Sequence, residues 1–279
     1  MIGTLYVVAT PIGNLEDITE RASRLLREVD VVACEDTRHT RKLLNHIGSA
    51  APTLSYHEHN ETSRAREIVG RLLEGQRIAL VSDAGTPLIS DPGYRLVALC
   101  RENGIPVVPV PGPSAVTAAL SVAGFPTDRF LFLGFPPKKA GALQNILREV
   151  SGIAATLVFY VGPHDLLSLL SALAEQFPER RIFLIREMTK VFETSYSGTA
   201  RSVLDEIQNQ EPKGEYTLIL EGSSAATPPA AQQVDLVAYV RGLMESRGMS
   251  QRDAIKAAAA HLGLPKRDVY ALFIDENTP

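Results

Sequence analysis

The sequence predicts an α/β protein made of two α/β domains and a small helical tail. Three observations predict it. Short apolar runs alternate with amphipathic stretches of helical period, the signature of strands joined by helical crossovers. Several of those runs end in loops dense in Pro, Gly and Asp, the longest being Ser82-Asp83-Ala84-Gly85-Thr86-Pro87-Leu88-Ile89-Ser90-Asp91-Pro92-Gly93. A Ser/Ala/Pro-rich segment, 223–231, then separates a basic stretch patterned for helix. The expected divisions are 1–113, 114–224 and a tail over 232–279.

Composition narrows the function classes. The 279 residues are 45% hydrophobic and 22% charged, ordinary values for a globular chain with a sizeable core. A net charge of −4 gives no bulk attraction to nucleic acid, so any such site must be a local basic patch. Cys34 and Cys100, each in an apolar segment, read as small buried residues of a reducing compartment and are too few for a zinc site. No apolar run is long enough to span a membrane, and the N-terminus lacks a cleavable signal pattern. A cytoplasmic enzyme is expected.

Leu5–Ala9 reads as a first strand and 10–15 as the loop after it. A dinucleotide fingerprint would need three glycines there, and the loop has Gly13 alone, so a nicotinamide cofactor is rejected. Ile18–Glu28 is an amphipathic helix and Asp30–Cys34 a second strand, implying a right-handed crossover. Next come Glu35-Asp36-Thr37-Arg38-His39-Thr40-Arg41-Lys42, the densest charged cluster of the chain. It reads either as a capped helix start, with Asp36 or Thr37 as cap, or as acids acting on a substrate proton beside cations that hold phosphates. Thr53–Tyr56 is a short strand. His57-Glu58-His59 after it has no third ligand at a metal-binding spacing, which favours a polar loop. Thr62–Glu74 is a helix closed by Gly75.

The central strand is 78–81, apolar on both faces. Pro87 and Pro92 in the loop after it remove backbone donors, while Gly85 and Gly93 permit conformations other residues avoid. Asp83 just past the strand is placed to accept hydrogen bonds from a ligand, as expected at the carboxyl edge of an open α/β sheet. A helix resumes at 94–100. The strand Pro106–Val110 ends in Pro111-Gly112-Pro113-Ser114, and Ala115–Ala123 is a helix whose small residues let something lie close. Phe125–Arg129 looks like a connector. Beyond it, strands are expected at 130–134, 155–161, 182–186, 191–197 and 216–221, with helices at 141–149, 165–175 and 200–208. The tail, 236–274, is expected to be helical, capped by Ser250 and broken at Gly263-Leu264-Pro265. Its six cations (Arg241, Arg247, Arg252, Lys256, Lys266 and Arg267) fit a nucleic-acid helix-turn-helix or, equally, a helical hairpin packed on protein.

Six motifs now stand in order: Val8-Ala9-Thr10-Pro11-Ile12-Gly13-Asn14, Glu35-Asp36-Thr37-Arg38, His57-Glu58-His59-Asn60-Glu61, Ser82-Asp83-Ala84-Gly85-Thr86-Pro87, Asp91-Pro92-Gly93 and Pro111-Gly112-Pro113. Together they resemble the group of tetrapyrrole methylase relatives that modifies small-subunit ribosomal RNA, over nearly the whole chain. The resemblance implies two α/β domains of the tetrapyrrole methylase type, with S-adenosylmethionine (S-adenosyl-L-methionine) in the cleft between them, and usually a homodimer. It implies methylation of a cytidine ribose 2′-hydroxyl near the decoding centre, on ribosomal RNA or the assembled small subunit. By the same resemblance the cofactor would be contacted by Pro11, Ser82, Asp83, Ala84, Gly85, Ile89, Ser114 and Ala115. The second domain would add Tyr160, Val161, Met188, Tyr216 and Thr217.

A cofactor without phosphate fits a sequence without a glycine-rich phosphate cradle, and methyl transfer from a sulfonium needs no metal. A ribose hydroxyl is a poor nucleophile, so a base helps. Glu35 and Asp36 are the candidates, with His57 and Lys190 behind them. Arg38, Arg41 and Lys42 would hold RNA phosphates, with His57 and Asn60 beside them. The chain departs from its group in two places. Val161-Gly162-Pro163-His164-Asp165 lacks the usual Glu and Arg, and Ala140-Gly141-Ala142 replaces a basic pair after Lys138-Lys139. The first departure resembles the ring-methylating relatives, so methylation of a tetrapyrrole such as uroporphyrinogen is the alternative.

Overall fold

The computed structural model describes residues 1–223, 240–244, 248–262 and 269–270. Met1–Ser223 form one compact unit and Ser224–Pro279 another.

The first half of the larger unit is a five-stranded, all-parallel sheet of order β3-β2-β4-β1-β5. Its strands are β1 (Thr4–Val8), β2 (Val31–Cys34), β3 (Thr53–Ser55), β4 (Arg77–Leu80) and β5 (Val107–Val110). Four helices cover it: α1 (Glu20–Glu28), α2 (Thr37–His46), α3 (Glu61–Leu73) and α4 (Tyr94–Glu102). Strand residues alternate between two cores. Leu5, Ala33, Ile78 and Leu80 pack with Ile68, Leu72 and Leu96 of α3 and α4. Val8, Val32, Cys34 and Ala79 pack with Leu25, Leu26, Leu43 and Leu44 of α1 and α2. Burial on both faces is why these strands read as unbroken apolar runs instead of alternating ones.

The second half is a mixed sheet of order β6-β7-β10-β8-β9. Its strands are β6 (Phe130–Phe132), β7 (Thr156–Val161), β8 (Arg181–Arg186), β9 (Thr194–Thr199) and β10 (Tyr216–Leu220). One face carries α6 (Ala140–Glu149), α7 (Leu166–Gln176) and α8 (Ala200–Ile207) over a core that includes Leu157, Phe159, Leu170, Leu184 and Leu218. The other face takes α5 (Ala115–Ala123), whose Val116, Ala119 and Leu120 pack on Val158, Phe183, Ile185 and Ile219. The helix that leaves the first sheet therefore packs on the second, and its small residues permit that close approach.

Two boundaries differ from expectation. Ahead of α1, Leu15–Asp17 form a 3₁₀ turn capped by Asn14, and extended Ile18 ends that turn. Thr19 then caps α1 by accepting from Ala22 N at 3.1 Å. The strand expected at 191–197 begins instead at Thr194, because 187–193 form a turn in which Glu187 and Thr189 take left-handed φ of 50° and 66°. Cys34 and Cys100 are buried and unbridged.

In the smaller unit, the helix Gln251–Leu262 starts as the sequence indicates. Ser250 Oγ accepts from Asp253 N at 3.3 Å and donates to Asp253 Oδ2 at 2.6 Å. Val240, Ala254, Ile255, Ala258, Ala259 and Val269 form an apolar cluster of their own. The expected connector over 224–231, the break at 263–265, most of the helix after it, and Arg247, Lys266 and Arg267 lie outside the described residues. Among the described residues no helix is long and apolar enough to cross a membrane.

Candidate active site

Strand order places a crevice in the first sheet. The chain leaves β1 toward β2 on one side and leaves the adjacent β4 toward β5 on the other, so their outgoing loops diverge at a topological switch point. The loops are stitched there. Thr10 N donates to Gly85 O at 2.8 Å and Gly85 N to Thr10 O at 3.1 Å. Thr86 Oγ1 donates to Pro113 O at 3.1 Å, tying in the turn after β5. At the far end of the loop, Glu61 Oε1 accepts from Gly93 N at 3.2 Å and from Tyr56 Oη at 3.0 Å. Between these anchors Gly85 (φ 76°), Leu88 (73°) and Ser90 (65°) are left-handed. For the two non-glycines this costs about 1–2 kcal/mol each, and the anchors on both sides hold them there.

The second half supplies the facing wall. Asn14 N donates to Thr189 Oγ1 at 3.1 Å, and a Cβ on Gly13 would lie 2.5 Å from Lys190 Cγ, so that approach requires glycine. Among the described residues the four non-glycines with positive φ are Leu88, Ser90, Glu187 and Thr189, two in the loop after β4 and two in the turn at 187–193. A cleft of about 410 Å³ lies between the halves, within the size range of small-molecule sites.

Nine of the expected cofactor contacts line that cleft. Asp83, Ala84, Gly85 and Ile89 come from the β4 loop, and Ala115 opens α5. Tyr160 and Val161 end β7, while Tyr216 and Thr217 begin β10. Pro11 and Ser82 line a separate recess of about 30 Å³ that shares Asp83 with the cleft. Ser114 stands at the N-cap position of α5 outside the lining, without a side-chain capping bond, and Met188 packs against the core beneath α5. Ile12, Thr86, Ser90, Asp91, Phe135 and Glu215 line the cleft as well. Phe135 stacks on Tyr160, ring centroids 5.6 Å apart.

The expected bases separate by their partners. Asp36 is the α2 cap: Oδ1 accepts from Arg38 N at 2.8 Å and His39 N at 3.4 Å, which hold its carboxyl below the usual range. Lys190 Nζ bonds Glu187 Oε1 at 2.9 Å and Glu215 Oε2 at 3.0 Å. Burial alone would lower its pKa, but those two carboxylates override it and hold Lys190 above its ordinary value. Glu35 makes no hydrogen bond among the described residues, and burial followed by the charge of Asp83 raises its pKa. Asp83 Oδ1 accepts from Asp36 N at 3.1 Å. Asp91 is pushed up to about 6, first by burial and then by the charges of Glu35 and Asp83, against the Ser82 hydroxyl that holds it down. Burial and then Asp91 push Tyr160 up to about 12.

The expected RNA contacts also divide. Arg38 projects with its side chain 91% exposed, and Lys42 is exposed. Arg41 is tied down, donating to Ala51 O at 3.2 Å and Thr53 Oγ1 at 3.3 Å. His57 and Asn60 close the β3–α3 turn, with His57 N donating to Asn60 Oδ1 at 2.9 Å and Asn60 Nδ2 to Ser55 O at 3.2 Å. Among the described residues no group of three or more His, Cys, Asp or Glu could hold a metal ion.

Comparison with known proteins agrees with this architecture. The family model described as Tetrapyrrole (Corrin/Porphyrin) Methylases matches residues 4–204. A protein of Halalkalibacterium halodurans named Ribosomal RNA small subunit methyltransferase I is 42% identical over 98% of this chain and 96% of its own length. One of the same name from Escherichia coli O157:H7 is 44% identical, again over 98% and 96%. Among solved structures, the uroporphyrin-III C-methyltransferase of Thermus thermophilus complexed with S-adenyl homocysteine superposes with a TM-score of 0.56 at 20% identity, covering 78% of this chain and 97% of that one. At that identity the likeness speaks for the fold alone.

Proposed function

Because the chain belongs to the tetrapyrrole methylase family, we propose that it uses S-adenosylmethionine to methylate small-subunit ribosomal RNA, at the ribose 2′-hydroxyl of a cytidine near the decoding centre. The observation that carries this reading is the switch-point cleft of a chain matched along 98% of its length by relatives named for that RNA. The cleft residues fit the cofactor. Its apolar contributors, Ile12, Ile89, Ala115 and Val161, suit a nucleoside and thioether, and Asp83 and Asp91 suit cationic groups. When bound, the cofactor supplies a methyl group on a sulfonium leaving group.

The protein's part is alignment. Asp83, Ala84 and Gly85 offer a carboxylate and closely approaching backbone, while Tyr160, Tyr216 and Thr217 close the opposite side against water. Arg38 and Lys42 are the exposed cations available to RNA phosphates on the rim of the first sheet. Of the groups expected to act as base, Asp36 and Lys190 have their polar atoms engaged elsewhere, and Glu35 does not. The family reading adds a homodimer and a cytoplasmic location.

The test is radiolabelled methyl transfer to two acceptors side by side: small subunits from cells lacking this protein, and uroporphyrinogen. Label at one cytidine ribose, mapped by resistance to cleavage there, is the expected result. Label confined to the ring would overturn the RNA assignment in favour of the tetrapyrrole alternative.

A further inference from the structure

Three carboxylates line the cleft, and two of them are already engaged. Asp83 accepts the Asp36 amide, and Glu215 is paired with Lys190. Asp91 has no cation partner among the described residues, and the neighbouring Ser82 hydroxyl donates to Ala84 O at 3.2 Å. Its position is nevertheless fixed. The loop carrying it is anchored upstream by the Thr10–Gly85 bridge and downstream by Glu61 at Gly93, and Ser90 beside it is locked left-handed. A preorganised carboxylate without a cation in a ligand cleft has desolvation against it and no positive charge in the protein to offset it. Such an arrangement persists where a ligand or a proton supplies the missing partner.

Resting on the reading of this cleft as a methyl-transfer site, we propose that Asp91 is the group that accepts the proton of the substrate hydroxyl. As the substrate O–H bond breaks, its proton goes to Asp91 Oδ. The oxygen's electron pair forms the new O–CH₃ bond, and the methyl carbon's bond to sulfur breaks, leaving its pair on a neutral thioether. Charge balances: one carboxylate and one sulfonium are consumed, and one carboxylic acid and one ether are produced.

The surroundings suit this task. The groups facing Asp91 are Glu35 from the loop after β2, Asp83 and Ser82 from its own loop, and Tyr160 from β7. Burial first, then Glu35 and Asp83, make it a stronger base than a free aspartate, yet at about 6 it is still ionised at neutral pH, where a general base works best. Glu35 lies outside the cleft lining, so its part is electrostatic support: it is a positioning residue for the basicity of Asp91.

Asp91→Asn keeps the size and polarity of the side chain and removes the base. We expect turnover on small subunits to fall about 10²–10⁴-fold, with S-adenosylmethionine affinity and the KM for subunits within about threefold. The wild-type rate should fall tenfold per pH unit below about 6, and the residual rate of the variant should lose that limb. Glu35→Gln should move the limb to lower pH, a shift that a purely structural role would not produce. A readout independent of turnover is proton release on binding S-adenosylmethionine at pH 6, from calorimetry in buffers of differing ionisation heat. Wild type should release protons as the arriving cation ionises Asp91, and Asp91→Asn should not. Retained turnover in Asp91→Asn, an unmoved limb in Glu35→Gln or equal proton release would each overturn the assignment. If wild type labels no RNA, the reading of the function falls, and proton release still decides whether Asp91 faces the donor.

Discussion

Asp91→Asn should stabilise the folded protein at neutral pH even as it disables the site. The folded carboxyl titrates at about 6 against an ordinary 3.8, a gap worth about 3 kcal/mol if nothing screened it. The group is part-exposed, and discounting for solvent leaves about 1–2 kcal/mol. The sign follows from linkage. A carboxyl whose folded pKa is raised favours folding when protonated, so its contribution is fully present below about 3.8 and is lost as pH rises through about 6. Wild type therefore carries the penalty at pH 7.5, and an amide, neutral at every pH, does not. At roughly 2–4 °C per kcal/mol for a unit of this size, the variant should melt about 2–8 °C higher at pH 7.5. The advantage should shrink to about half by pH 5. Differential scanning fluorimetry across that range, on full-length protein, reads both numbers. A variant no more stable than wild type at pH 7.5, or an advantage that does not depend on pH, would refute the reasoning.

Four further substitutions separate structural from functional roles. Gly13→Ala puts a Cβ within 2.5 Å of Lys190 Cγ and 3.0 Å of Met188 O, so the two halves must part; calorimetry should show S-adenosylmethionine affinity falling about tenfold or more. Asp36→Ala removes the α2 cap and should lower the midpoint of urea melts, while turnover falls less than about tenfold. Arg38→Ala should lower the salt slope of RNA binding by about one without changing the melting temperature. Arg41→Ala, which loses the bonds to Ala51 O and Thr53 Oγ1, should instead lower the melting temperature.

Much of the fold was legible because burial wrote it into the residue types. The strands of the first sheet are covered on both faces and therefore unbroken in apolarity, and α5 announced a close neighbour by its small side chains. The 82–93 loop was legible because prolines and glycines cannot continue a sheet. What escaped were features set by tertiary partners. The turn at 187–193 depends on Glu187 and Thr189 in left-handed conformations, and neither residue type announces one. The Asp36 cap is one of two readings the cluster offers, whereas Arg41 looks like a free charge in sequence and only the position of Ala51 reveals its partner. Glu215 enters the cleft because β10 pairs between β7 and β8, which no local pattern encodes. Phe135 carried a usable signal: an aromatic stranded before two prolines has no helix or strand in which to bury itself.

The charge of the cleft implies an order of binding. Glu35, Asp83 and Asp91 face one another around a site that a polyanion must approach, in a chain of net charge −4. An RNA phosphate drawn toward exposed Arg38 and Lys42 is repelled by that set until a cation occupies the cleft. A sulfonium supplies that cation, and the thioether left after transfer does not. One unit of charge across a short, partly solvated distance is worth about 1 kcal/mol, roughly a fivefold change in affinity. S-adenosylmethionine should therefore tighten binding of a small-subunit RNA fragment about fivefold more than S-adenosylhomocysteine does, and the difference should fade in high salt. Fluorescence anisotropy on the wild-type protein measures both, using a labelled fragment already 2′-O-methylated at the target ribose to prevent turnover. Equal enhancement by the two ligands would mean that the acids do not sense the RNA. A preference for the sulfonium would mean that losing its charge also helps release the methylated product.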